Sequence, residues 1–102
     1  MSVITVNEEN FRSEVLGSSR PVLIDFWASW CGPCRMLSPL VDEVAEEQDK
    51  VKVCKINVDD NPALAQQFGV SSIPMLAVVK DGKVVKASIG AVPKVKILEL
   101  IK

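Results

Sequence analysis

Residues 22–28, VLIDFWA, constrain the fold of this chain more than any other stretch. They form a nearly continuous apolar run, which is typical of a central strand buried on both faces of a sheet. Directly after it, Cys31 and Cys34 open a segment, RMLSPLVDEVAEEQ, whose apolar residues recur at helical spacing. A buried strand that leads into an amphipathic helix predicts an α/β domain.

The first half of the chain holds one more strand and one more helix. VITV, residues 3–6, is a short strand candidate, and Asn7 is placed to cap a helix that ends near Gly17. Pro39 interrupts the long helix, where we expect a kink rather than a break because the apolar face resumes in register. The acidic cluster DEVAEEQD is interpreted as the solvated side of this helix.

The second half predicts a mixed sheet. VKVCKINV, residues 51–58, is β-rich, and DDNPALAQQFG is typical of a short helix. Asp81-Gly82 between MLAVV and VVKASI is a strong hairpin signal, and a last helix follows Pro93. The order βαβαβ and then ββα predicts a single domain over residues 1–102, with parallel crossovers first and an antiparallel hairpin later.

Composition excludes several classes of function. The 12 basic and 13 acidic residues leave a net charge of −1, so we expect no nucleic-acid partner and no attraction to a membrane surface. The longest apolar runs are far shorter than the roughly 20 residues of a spanning helix. The N-terminus carries no signal-peptide pattern, so we expect a cytoplasmic protein, although a processed organellar protein would look the same. Nothing in the sequence argues against a monomer, which we expect.

The pair Cys31 and Cys34 could be a metal clip, a structural staple or a redox pair. Three cysteines are too few for a disulfide-stapled secreted domain and fit a reducing compartment. A structural zinc site takes four ligands, whereas the chain has no histidine and Cys54 has no partner in a second pair. We therefore predict no metal site, and the redox interpretation is favoured.

Local geometry supports redox chemistry. If the helix begins at the pair, the Cys31 sulfur faces the free N–H groups of the first turn, including that of Cys34. These donors and the helix dipole stabilise a thiolate. Pro33 fits a first helical turn, and Gly32 leaves the approach to Cys31 open.

Asp25 places a carboxylate in the middle of the apolar strand. Burial of an unpaired carboxylate is costly and raises its pKa. Two compatible interpretations follow: a structural ion pair with Lys55 of the other central strand, or a proton acceptor for Cys34.

FWASWCGPCRM, Ile73-Pro74 and the IGA of residues 89–91 together resemble the thioredoxin family. The resemblance implies a thioredoxin fold, with a central mixed β-sheet flanked by helices and the dithiol at a strand-to-helix junction. It makes Asp25 the buried carboxylate of the family and Lys55 its partner, and it makes Pro74 a cis-proline that faces the dithiol. Trp27 resembles the family's packing tryptophan, for which we expect a core role.

The resemblance also implies a substrate-docking surface. The backbone of Ile73 would pair with an extended substrate segment, as in strand addition. The rim of this surface would comprise Trp30, Gly32, Pro33, Ile73, Pro74, Gly90 and Ala91.

The implied function is that of a protein-disulfide reductase that cycles between dithiol and disulfide. Cys31 is the nucleophile, Cys34 resolves the mixed disulfide, and Asp25 transfers the proton. No cofactor is bound, and a separate reductase regenerates the dithiol, either a flavoprotein that uses NADPH or a ferredoxin-linked enzyme. The alternatives are an oxidant or isomerase on the same fold and a binding module that works without its thiols.

Two positions depart from the common pattern of the family. Met75 follows the proline where the family commonly has threonine. This substitution leaves open whether packing and polarity beneath the dithiol match those of other family members. Cys54 lies in a run that looks buried, and we expect it to behave as an inert small hydrophobe.

Overall fold

A computed structural model describes residues 2–102 of the protein. Within them the chain forms five strands, three α-helices and one short π-helix. The strands are β1 (Ile4–Thr5), β2 (Val22–Trp27), β3 (Lys52–Asn57), β4 (Met75–Lys80) and β5 (Lys83–Ile89). The α-helices are α1 (Gly32–Glu47), α2 (Pro62–Gln67) and α3 (Lys94–Leu100), and the π-helix spans Arg12–Leu16.

The strands form one mixed sheet in the order β1-β3-β2-β4-β5. β3 pairs in parallel with β1 and β2, whereas β4 pairs antiparallel with β2 and β5. The β4–β5 hairpin turns at Asp81 and Gly82, both with positive φ, as a tight two-residue turn requires. The predicted α/β class and mixed sheet are confirmed.

The sheet separates two hydrophobic cores. Because side chains alternate along a strand, Val22, Ile24 and Phe26 point to the first core, where they meet the π-helix and α2. Leu23 points to the second core, where α1 and α3 pack. The same alternation places Asp25 on the α1 face of the sheet, which is the face that the second core covers.

The predicted first helix differs from the observed one. Asn7 accepts hydrogen bonds from the N–H groups of Glu9 and Asn10, but these residues form a turn rather than a helix. The regular segment begins later as a π-helix, in which the Gly17 N–H bonds to the carbonyl of Arg12 five residues back. The wider turn holds Val15 in the first core.

Helix α1 continues through Pro39 without a break, as the resumed apolar face predicted. In the described part of the chain, no helix is long and apolar enough to cross a membrane.

Candidate active site

The dithiol lies where β2 passes into α1. Cys31 is the N-cap of α1, with extended backbone angles, and its Sγ accepts a hydrogen bond from the N–H of Cys34 at 3.2 Å. The two cysteines form a disulfide in the structure, with their Cα atoms 5.3 Å apart. The capping geometry predicted from the sequence is confirmed, and it directs the N–H of Cys34 at the Cys31 sulfur, where such a donor would stabilise a thiolate.

The loop that precedes β4 contacts the dithiol. The Ile73–Pro74 peptide bond is cis, as the family resemblance implied. The carbonyl oxygen of Ile73 lies 3.8 Å from the Cys31 Sγ, and Ile73 packs against the buried cluster formed by Ala28 and the two cysteines. The N–H of Gly90 donates to the carbonyl of Pro74 at 2.8 Å, which joins the end of β5 to this loop.

Asp25 is buried in β2, with 1% of its surface exposed. Among residues 2–102, neither of its carboxylate oxygens has a hydrogen-bond partner. Burial raises the pKa of Asp25 to about 6, opposed by the positive charge of Lys55 and reinforced by the negative charge of Asp42. This value agrees with the raised pKa that the sequence analysis expects for a buried carboxylate.

Lys55 does not form the expected ion pair with Asp25. The two residues are direct neighbours in the β2–β3 register, but the Lys55 Nζ bonds to Asp42 Oδ1 at 2.9 Å and to Ser38 Oγ at 2.5 Å. The long lysine stem carries the ammonium past the shorter aspartate toward a half-exposed carboxylate, where less hydration is lost. Lys55 therefore acts on Asp25 through space rather than through a bond.

Trp30 borders an open groove beside the dithiol. It is 67% exposed, and its Nε1 donates to Asp59 Oδ2 at 2.8 Å. The groove has a volume of about 450 Å³ and is lined by Trp30, Val58, Pro62, Ala65, Gln66, Val70, Ser71, Ser72 and Ile73. Sequence reasoning placed Trp30 and Ile73 here but missed the residues of α2 and its flanking loops, which only the fold brings to the dithiol.

The other predicted rim residues belong to two separate segments of the chain. Gly32 and Pro33 begin α1. Gly90 and Ala91 follow β5, and Gly90 has a φ of +98°, which favours glycine. Ala91 and Pro33 are exposed.

A family model described as Thioredoxin matches residues 2–102. The chain belongs to the thioredoxin family. It is 56% identical over 95 residues to a thioredoxin of Pyropia yezoensis, an alignment that covers 92% of this chain and 89% of that protein. It is 57% identical over 90 residues to thioredoxin 1 of Synechococcus elongatus, with coverage of 87% and 84%. A chloroplastic thioredoxin M5 of Oryza sativa is 48% identical over 100 residues, with coverage of 97% and 58%.

This thioredoxin-family protein is a thiol–disulfide oxidoreductase that reduces protein disulfides through Cys31 and Cys34. The family uses no bound cofactor, because the disulfide itself is the redox group. Within residues 2–102, no three His, Cys, Asp or Glu side chains are grouped to hold a metal ion.

Three further residues of this thioredoxin-family chain contribute to hydrophobic packing. Trp27 is partly buried and packs against the cluster of Ala28 and the two cysteines, which agrees with its predicted packing role. Cys54 is fully buried in the first core, and burial raises the pKa of its thiol to about 12, so it holds its proton at neutral pH. Met75 is also buried in the first core, opposite Phe26 in the β2–β4 register.

Proposed function

We propose that Cys31 attacks the substrate disulfide and that Cys34 resolves the intermediate. The Cys31 thiolate bonds to one substrate sulfur and displaces the other as a thiolate. The Cys34 thiolate then attacks the Cys31 sulfur, which closes the intramolecular disulfide and releases the second substrate thiolate. Two electrons pass from the dithiol to the substrate. The observation that carries this order is the position of Cys31 at the helix cap, where its sulfur accepts a backbone N–H.

Asp25 is the proposed proton acceptor for Cys34. Its burial on the α1 face and its pKa of about 6 support the assignment. Such a carboxylate is mostly ionised at neutral pH, yet it takes up a proton more readily than an exposed aspartate does. The through-space effect of Lys55 is the proposed restraint on its pKa.

The proposed docking surface comprises Trp30, Gly32, Pro33, Ile73, Pro74, Gly90 and Ala91. An extended substrate segment would lie along Ile73 as an added strand and direct its disulfide to Cys31. The contact between the Ile73 carbonyl and the Cys31 Sγ supports this path, as does the groove beside Trp30.

Trapping of substrates tests the order of the two thiols. We expect Cys34→Ser to accumulate mixed disulfides with target proteins, because attack by Cys31 is retained and resolution is lost. Cys31→Ser should trap none. The measurement is non-reducing electrophoresis after affinity capture, with the bonds released by dithiothreitol. Trapping by Cys31→Ser in place of Cys34→Ser would reverse the assignment.

The regenerating partner is proposed to be a dedicated reductase, either an NADPH-dependent flavoprotein or a ferredoxin-linked enzyme. Turnover with each purified reductase, with dithiothreitol as the donor in a control, decides between these two electron donors.

The proposed compartment is the cytoplasm. Relatives named as chloroplastic thioredoxins make a processed organellar protein the alternative.

A further inference from the structure

Three polar side chains of α1 form a stripe along the helix. Cys34, Ser38 and Asp42 are spaced four residues apart, so they lie on one helical face. Cys34 and Ser38 line the same cavity of about 260 Å³. The Lys55 ammonium bonds to the other two members, Ser38 and Asp42. The lysine is thereby tied to the helix face that begins with the resolving cysteine.

Asp25 lies next to Lys55 in the sheet, but its carboxylate has no hydrogen-bond partner among the described residues. The two residues are in register on adjacent parallel strands and lie on the same face of the sheet. A lysine stem is long enough to reach a neighbouring carboxylate, yet both of its partners come from α1. Both bonds of this ammonium therefore run to the helix, and neither runs to Asp25.

We propose that Ser38 and Asp42 are positioning residues that hold the Lys55 ammonium on α1 and prevent it from hydrogen-bonding to Asp25. The inference rests on the proposed role of Asp25 as the proton acceptor for Cys34, which it refines. A carboxylate that is free of a direct ammonium bond is a better base, because its charged form is less stabilised.

Charged groups on two neighbouring elements shift the pKa of Asp25 in opposite directions. From β3, Lys55 lowers the pKa of Asp25, and from α1, Asp42 raises it, while burial is the largest cause of its value of about 6. At this register β4 contributes the apolar Leu76. The thiol of Cys34 lies on the same helix as Asp42. Loss of Asp42 would remove a negative charge and release Lys55 toward Asp25, and both effects favour the ionised form.

The test is a carboxyl ¹³C NMR titration of Asp25 in the disulfide form, in which Cys31 and Cys34 do not titrate. We expect Asp42→Asn to lower the pKa of Asp25 by about one pH unit or more when Lys55 is present. In a Lys55→Gln background the same substitution should lower it much less, because no ammonium is left to move. Ser38→Ala should lower it in the same direction.

Glu43→Gln is the matched control. It removes the same charge from the next position of α1, where the side chain bonds to Lys94 rather than Lys55. We expect the pKa of Asp25 to stay unchanged in this variant. Equal shifts from Asp42→Asn with and without Lys55 would overturn the proposal, because Asp42 would then act by its charge alone. No shift with Lys55 present would overturn it as well.

A kinetic arm separates this proposal from the role of Asp25. The pH midpoint for release of a mixed disulfide from Cys31 should move to lower pH in Asp42→Asn, by the shift seen in the titration. Asp25→Ala should slow release and remove that pH dependence. Release from Asp25→Ala at the parent rate would refute the proton-transfer role, while the titration would still decide whether Ser38 and Asp42 position Lys55.

Discussion

Asp25 shows at the scale of one residue how a buried carboxyl group opposes stability. Its pKa rises from an ordinary value of 3.8 to about 6 because burial disfavours the charged form. The folded state therefore binds this proton more tightly than the unfolded chain does. Stability from this group is greatest below about pH 4, falls as the pH rises to about 6 and is constant above that.

Asp25→Asn should stabilise the protein at neutral pH. A shift of this size corresponds to about 2–3 kcal/mol, so we expect the free energy of unfolding at pH 7.5 to rise by about that amount. The gain should disappear below about pH 3, where the carboxyl is protonated in both states. Urea titrations of the oxidised parent and variant at the two pH values measure it. A gain that is independent of pH would show that burial of the charged carboxylate is not its cause.

Individual elements differ in how far the sequence predicts them. The β4–β5 turn follows from Asp81-Gly82, because local backbone chemistry decides it. The N-cap at Cys31 likewise follows from residues next to it. The π-helix does not follow from local residues, since its Gly17-to-Arg12 bond depends on how Phe11 and Val15 fit the first core.

The bond between Lys55 and Asp42 is also not predictable from the sequence, because it too depends on tertiary packing. Asp42 belongs to the acidic cluster interpreted as the solvated side of α1, and it is indeed half-exposed. A helical pattern predicts that Ser38 and Asp42 share a face, but it does not predict which strand residue extends to meet them. That choice depends on the packing of α1 across β3.

Met75 tests whether the first core is separate from the cluster that holds the dithiol. Its side chain packs in the first core opposite Phe26, whereas the cysteines form a separate cluster. Met75→Thr should therefore lower the free energy of unfolding by about 1–3 kcal/mol through lost packing. The redox potential should stay within about 30 mV of the parent value. Chemical denaturation and a glutathione titration measure the two quantities.

A larger change of potential in Met75→Thr, with stability unchanged, would contradict this separation. The polarity beneath the dithiol would then depend on Met75, and the alternative of a more oxidising protein on the same fold would gain support. Met75→Leu, which keeps the apolar volume, is the matched control and should change neither quantity appreciably.

The whole molecule assembles a site from segments that are distant in sequence. β2 brings Asp25, the β2–α1 junction brings the dithiol, and the loop before β4 brings Ile73 and Pro74. Spacing alone predicts the dithiol at a helix start, because its parts are local. The cis-proline and the proposed docking rim come only from the family resemblance, since no local pattern shows that residue 73 meets residue 31. The monomeric state stays a prediction.

Reduction of insulin disulfides with dithiothreitol as the donor tests the central claim most directly. The parent protein should accelerate the reaction, and Cys31→Ser should abolish the acceleration. Cys54→Ala, which removes the buried third cysteine, should retain it. If the parent gave no acceleration, or if Cys31→Ser retained it, the Cys31–Cys34 pair would not be the working redox group of this protein.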